Sequence, residues 1–304
     1  MRKQYEFYGG LRGKYSEPFD ENPEARDEGL DLSKPIDLVL VRLREKAARC
    51  RFVDGGEGIT LRARSLGRYV PGQILTVQAK KHWQFKSHPY LSGEVVSTRV
   101  DAAALGLTPL TLTPVGEWDP AKAYWGVEGG PLEDWAQAII ARGPRQMFEM
   151  EQVLPGRDLE DPLTDPICES IDRRDAGDRS GAEDLLQDLL EIDLRCLDAH
   201  AHLGHLDFGG WPQWALPHYE VGVRIGELSL GEDFDGLLPW SVIENRPFLR
   251  CLHGYGLCLW RMEQWEEAER AFERLLWLDP ADHLGVRCLL ADVRAREPWT
   301  DDEA

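Results

Sequence analysis

The stretch WEEAERAFERLLWLDPAD, from Trp265 to Asp282, sets the architecture of the C-terminal half of this 304-residue chain. Ala268 and Phe272 lie four positions apart, about one turn of an α-helix. Pro280 comes soon after Leu278 and marks the end of the helix, because proline cannot continue a helix. We therefore predict an amphipathic helix that packs through this side against a neighbouring element.

The residues before this helix complete a two-helix unit. Six residues carry the pattern, at successive offsets of 4, 3, 9, 4 and 8: Leu252, Gly256, Leu259, Ala268, Phe272 and Pro280. The pattern resembles the tetratricopeptide repeat, a helix–turn–helix unit of about 34 residues. Gly256 and Ala268 are small because the two helices of such a unit must approach closely.

Two earlier copies of the unit fit the same spacing less completely. Ala215 and Tyr219 stand in the second-helix positions of one copy, and Ala182 and Leu186 stand there in the other. The resemblance therefore predicts a helical array over residues 181–293 that ends in a capping helix.

The resemblance also implies a concave groove that holds a peptide or a partner helix. The candidate groove residues stand at the start of the best repeat: Asn245, Arg246, Arg250 and His253. Arginine offers a planar fork of donors that suits a carboxylate. An alternative stays open, in which Asn245 or Ser241 caps the helix, Pro247 occupies its first turn, and the repeats only support the rest of the chain.

The N-terminal half changes to a strand pattern. Alternating segments such as Ile59–Ala63 and Ile74–Gln78, separated by turn signals, predict a small antiparallel barrel or curled sheet before residue 100. Ahead of them, apolar residues from Ile36 to Ala47 recur at helical spacing and predict a helix. Residues 101–130 are rich in proline and glycine and predict a connector. The fold class is α+β, a barrel-like domain followed by a helical array.

The charge divides the chain in the same way. The net charge is −19, which by itself argues against binding to nucleic acid or to an anionic membrane. Residues 41–100, however, carry a net charge of +8, and residues 101–304 carry −24. We therefore predict two modules with a boundary near residue 100 that attract one another. Apolar runs are too short for a bilayer span, and no signal peptide is recognisable, so we expect a cytoplasmic protein.

Bases and aromatic residues alternate between Lys80 and Tyr90. On a small barrel this combination is typical of single-stranded nucleic-acid binding, with cations for phosphates and rings for base stacking. The candidate patch consists of six residues: Arg62, Arg64, Lys80, Lys81, Trp83 and Lys86. In the alternative interpretation, the rings belong to the core of the sheet and the bases face water or the acidic half.

Catalytic signals are weak throughout the sequence. No nucleophile elbow, P-loop or dinucleotide-binding glycine pattern occurs, so we expect a non-enzymatic protein without a cofactor. His200, His202 and His205 lie near Asp198 and Asp207, but their spacing matches no metal motif, and whether they bind a metal stays open. The six cysteines form no CxxC pair and are expected to be free thiols.

These observations predict five segments: a charged N-terminal arm over 1–34, a helix plus a small basic β-domain over 35–120, a helical connector over 121–180, tetratricopeptide-like repeats over 181–293, and an acidic tail over 294–304. The opening Tyr5-Glu6-Phe7, together with Arg12-Gly13-Lys14-Tyr15, resembles the N-termini of some small bacterial antitoxins, and we expect a bacterial protein. The expected function is protein–protein interaction through the helical groove. The alternative is a regulator that binds single-stranded RNA or DNA through the β-domain. The oligomeric state stays open.

Overall fold

The computed structural model describes residues 30–44, 46–53, 55, 58–120, 122, 133–157 and 164–300. It contains a closed β-barrel followed by a mainly helical region, which confirms the α+β class. The arm residues 1–29 and the tail residues 301–304 lie outside the described residues. Among the helices of the described part, none combines the length and the apolar character needed to cross a bilayer.

Five strands form the barrel: β1 (Ile36–Arg44), β2 (Ala47–Phe52), β3 (Gly58–Arg62), β4 (Ile74–Phe85) and β5 (His88–Arg99). Their order around the barrel is β1-β2-β3-β5-β4, and β4 pairs with β1 to close it. Neighbouring strands are antiparallel except for β3 and β5, which are parallel. The sequence predicted an antiparallel barrel, and this one pair departs from that prediction. Alternate side chains such as Leu61, Leu75 and Leu91 point inward and are fully buried.

The helix predicted from Ile36 onward is wrong, because these residues form strand β1. Leu38 and Leu40 fill the interior of the barrel, whereas Val39 between them packs outside it against the helical region. Because both faces of the strand are buried, its apolar residues run on without alternation and imitate the spacing of a helix.

A second sheet follows the barrel in the chain, and it has two antiparallel strands: β6 (Leu112–Trp118) and β7 (Arg145–Met150). The connector predicted over 101–130 and the helical connector predicted over 121–180 are therefore wrong in part, since each contributes a strand. Pro114 and Gly116 flank an irregularity in β6, which hides the alternation that would signal a strand.

Eight helices lie within the described residues: α1 (Asp134–Arg142), α2 (Pro166–Asp175), α3 (Arg179–Ile192), α4 (Leu197–Phe208), α5 (Pro212–Leu230), α6 (Arg246–Arg261), α7 (Trp265–Leu278) and α8 (Val286–Ala295). Consecutive helices from α2 to α8 contact one another, and α4 also contacts α6. The amphipathic helix predicted from Trp265 is α7, which ends at Leu278 as expected.

Close approach of α6 and α7 depends on Gly256. A Cβ atom at this position would lie 2.4 Å from Cε1 of Phe272, a distance that van der Waals radii do not allow. Phe272 itself is fully buried in the largest core cluster. The close contact with Phe272 therefore explains why the sequence pattern has a small residue at position 256.

We expect Gly256→Ala to lower the free energy of unfolding by about 1–3 kcal/mol, because the added methyl group overpacks the α6–α7 contact. Chemical denaturation followed by circular dichroism measures the change. Gly209→Ala is the control, since no atom lies within 4 Å of an added Cβ there, and we expect a change below about 0.5 kcal/mol. Equal stability of the two variants would contradict the packing argument.

The barrel and the helical region meet along β1 and α3. Nη1 of Arg42 in β1 lies 3.3 Å from Oε2 of Glu191 in α3, and Arg42 also forms an ion pair with Asp188. Arg49 of β2 forms a second ion pair with Glu191. The attraction predicted from the two opposite net charges therefore takes the form of direct ion pairs at this junction.

Candidate functional site

Asn245, the first residue of the predicted groove, is fully buried and belongs to the structural core. Its Oδ1 accepts a hydrogen bond from the backbone N–H of Met150 at 2.8 Å. Its Nδ2 donates to the carbonyl oxygens of Phe148 and Pro239, at 3.0 and 3.1 Å. The side chain makes no capping bond to α6. Burial removes Asn245 from a groove. In the alternative interpretation, Asn245 is the N-cap residue of α6 by position and Pro247 lies in the first turn, but the side-chain amide joins β7 to the start of α6 and does not cap the helix.

Arg246 and Arg250 lie one helical turn apart on α6 and share one aromatic partner. Their guanidinium carbons lie 5.1 and 5.6 Å from the ring centroid of Trp240. Arg246 donates from Nε to the carbonyl oxygen of Trp240 at 3.0 Å. Its two Nη groups make no hydrogen bond or ion pair with the described residues. The two guanidinium groups therefore form a cationic surface over the ring of Trp240, and the Nη groups of Arg246 can still donate hydrogen bonds to a ligand.

A buried carboxylate lies next to this pair. Asp198 of α4 accepts hydrogen bonds from Gln152 Nε2 at 2.6 Å and from Arg250 Nη1 at 3.3 Å. Burial raises the pKa of Asp198, and the bonds from Gln152 and Arg250 act in the opposite direction. Arg250 therefore has an internal partner, which fixes the position of its guanidinium beside Arg246.

His253, the last predicted groove residue, points into the core. Its ring centroid lies 6.4 Å from that of Phe272. Its Nε2 is buried without a partner among the described residues, and burial lowers the pKa of the imidazole to about 4. The residue as a whole is half-buried, so part of it stays accessible at this position.

The histidine cluster of α4 is also divided between core and surface. His200 is fully buried and donates from Nε2 to the carbonyl oxygen of Leu194 at 3.1 Å, since a carbonyl only accepts. His202 and His205 are less buried, and burial lowers the pKa of both. Within the described ranges, no three histidine, cysteine, aspartate or glutamate side chains converge as a metal would require. The six cysteines are free thiols, as predicted.

A segment of the chain itself occupies part of the expected groove. β7 and the residues after it run past the N-terminal ends of α4 and α6, held by the bonds of Met150 to Asn245 and of Gln152 to Asp198. The N–H of Phe148 also donates to the carbonyl of Leu237 at 2.9 Å. Three of the four predicted groove residues, Arg246, Arg250 and His253, stay partly exposed, and so does Trp240.

The six residues of the predicted nucleic-acid patch all belong to β3, β4 and the turns that follow them. Arg64, Lys80, Lys81 and Lys86 are exposed, and Arg62 is half-buried. Trp83 is only 5% exposed, and its ring stacks on that of Tyr90 at a centroid distance of 5.4 Å. The structure brings the bases together on one side of the barrel, and it removes Trp83 from the list of directly accessible rings.

Sequence reasoning missed the roles of Trp240, Gln152 and Asp198. Trp240 is half-buried, whereas the nearby Trp211 and Trp214 are 70% and 56% exposed. Trp240 lies six residues before Arg246, outside any helical period, so no spacing rule connects the two. Comparisons of the chain with protein-family models, with curated proteins and with solved structures found no match.

Proposed function

We propose that this protein is a non-enzymatic interaction protein whose helical half binds a protein partner at the surface formed by Arg246, Arg250 and Trp240. One observation carries the proposal: two guanidinium groups lie on one tryptophan ring, and the Nη groups of Arg246 have no partner among the described residues. A carboxylate is the ligand that this arrangement fits, because two arginine donors can hold its two oxygens. A free C-terminus or an acidic side chain of the partner supplies such a group.

We further infer that α2 to α7 are three tetratricopeptide-like hairpins, α2–α3, α4–α5 and α6–α7. The small residues Ala182, Ala215 and Ala268 are at most 1% exposed, as closely packed hairpins require. Gly254 of α6 and Gly204 of α4 both lie against the ring of Tyr219, so the second hairpin contacts the third in the same close manner. Stacked hairpins present an extended surface for a partner.

The test uses the full chain, immobilised, and a mixed-sequence peptide library made twice, once with free C-terminal carboxylates and once amidated. We expect the free-carboxylate library to be enriched on the protein, as measured by mass spectrometry of the eluate. Arg246→Gln/Arg250→Gln should reduce this enrichment by about tenfold or more, because charge-assisted hydrogen bonds are lost.

Arg270→Gln/Arg296→Gln is the matched control, since both residues are exposed and form ion pairs with nearby glutamates on α7. It removes the same charge from another part of the helical half and should leave the enrichment unchanged. Equal capture of amidated peptides, or equal loss in the two double variants, would refute the carboxylate site.

A further inference from the structure

The outer faces of β3, β5 and the second half of β4 form a second surface of the barrel, away from the contact of β1 and Ile74 with the helical region. β1 is the strand that contacts α3, and β2 and β4 separate it from β3 and β5 around the barrel. The bases of β1 and β2 that meet the helical region, Arg42 and Arg49, are neutralised by its carboxylates. We propose that this second surface, formed by β3, β5 and the second half of β4, binds single-stranded nucleic acid.

Strand register places the relevant side chains in two neighbouring rows. Thr60 of β3 lies opposite Tyr90 of β5, and Tyr90 lies opposite Trp83 of β4. The next row consists of Arg62, Ser92 and Lys81. Because side chains two positions apart on a strand share a face, all six lie on the same outer surface. Arg62 and Lys81 therefore flank the central Tyr90.

This face carries almost only positive charge. Glu94 is the single acidic residue in the three strands, and it forms an ion pair with Lys80 at 3.7 Å. A register irregularity between Ala79 and Lys81 leaves both Lys80 and Lys81 exposed. The charge of the face is thus complementary to a phosphate backbone, although the chain as a whole is acidic.

Aromatic rings lie among these cations. Phe85, at the end of β4, is 43% exposed, and Lys86 lies 5.3 Å from its ring centroid. Tyr90 is half-buried and is held by the stacked ring of Trp83 and by His88, whose centroid lies 5.0 Å away at a steep angle. Phe85 therefore offers an open ring for a base, and Tyr90 offers a rigid edge beside it.

Cations and rings together favour a single strand over a duplex. Bases in a duplex are stacked on each other and cannot reach an aromatic side chain, whereas the bases of a single strand can. Fold alone does not establish function, so the proposal depends on the charges and rings named above.

The test measures fluorescence anisotropy of labelled oligothymidine and oligouridine with the full chain at about 50 mM salt and at higher salt. We expect binding that weakens as salt increases. Lys81→Glu/Lys86→Glu should weaken binding by about tenfold or more and should lower the slope of log affinity against log salt by about 1.4, for two lost phosphate contacts. Phe85→Leu, which keeps an apolar side chain but removes the ring, should weaken binding by about fivefold or more.

Arg270→Glu/Arg296→Glu changes the net charge by the same amount on the helical half and is expected to leave binding unchanged. A labelled duplex of the same length and unlabelled heparin complete the set. We expect both to compete poorly against the single strand.

Three results would overturn the proposal. The first is the absence of binding by the wild-type chain at low salt. The second is an equal loss of affinity in the helical control variant. The third is competition by heparin as strong as that by the unlabelled oligonucleotide, combined with an unchanged affinity of Phe85→Leu. The last result would mean that the face attracts any polyanion and does not recognise bases. Circular dichroism of each variant confirms that the barrel is intact, so that weaker binding is not a consequence of unfolding.

Discussion

Lowering the pH from 7 to 5 is expected to destabilise the helical half strongly, because neutral histidines are buried in its core. Burial lowers the pKa of His200 and His253 to about 4, and burial together with the nearby His200 lowers that of His218 to about 3. His200 lies on α4, His218 on α5 and His253 on α6, so protonation of any of them places a charge between packed helices.

In the unfolded chain these histidines take up protons near pH 6.5, whereas in the folded chain they stay neutral until about pH 4. The unfolded state therefore binds more protons below pH 6.5, and stability is lost as the pH falls through this range. Each histidine contributes about 1.4 kcal/mol per pH unit, so three contribute about 4 kcal/mol per unit. Buried carboxylates such as Asp198 and Glu183, whose pKa burial raises, act in the opposite direction at the acidic end of the range.

The measurement is urea denaturation at several pH values between 7.5 and 5, followed by circular dichroism. His218→Asn should reduce the slope of unfolding free energy against pH by about 1.4 kcal/mol per unit. The control is Gln213→Ala, which truncates an exposed side chain of α5 that binds no proton in this range and should leave the slope unchanged. A stability that does not change between pH 7 and 5 would show that the histidines are not held neutral by the fold.

Asn245→Ala is expected to lower the free energy of unfolding by about 3–5 kcal/mol, the largest effect of a single substitution that we predict. The change leaves the buried N–H of Met150 without its partner and removes a hydrogen bond from each of the part-buried carbonyl oxygens of Phe148 and Pro239. The Pro239 oxygen keeps the bond from the N–H of Val242. The unsatisfied N–H of Met150 costs about 1–3 kcal/mol, and each of the two lost bonds to a carbonyl oxygen adds about 1 kcal/mol.

Chemical denaturation measures the loss, and hydrogen exchange of the Met150 amide reports it locally. Gln213→Ala, which truncates an exposed amide side chain at the start of α5, is the control and should change stability by less than about 0.5 kcal/mol. A loss below about 1 kcal/mol for Asn245→Ala would contradict the central role of this amide.

Part of the candidate site was recognisable before the structure. Arg246 and Arg250 stand one turn apart at the start of a helix that local spacing identifies, so their common face follows from sequence. Asn245 next to them has the opposite role, because its partner Met150 lies 95 residues away in sequence. No local rule connects the two, since the bond depends on how β7 pairs with β6 and where that sheet lies against α6.

The helices and the division of charge follow from sequence alone, because both depend on residues close together in the chain. The period of α7, its end at Leu278 and the small residue Gly256 are local signals of this kind. The identity of β1 and the surface of the barrel depended on tertiary structure. β1 is buried on both faces, which removes the alternation that marks a strand, and the rows of Tyr90, Arg62 and Lys81 exist only because distant β3 pairs with β5. Such contacts are selected by the packing of the whole barrel and leave no period in the sequence.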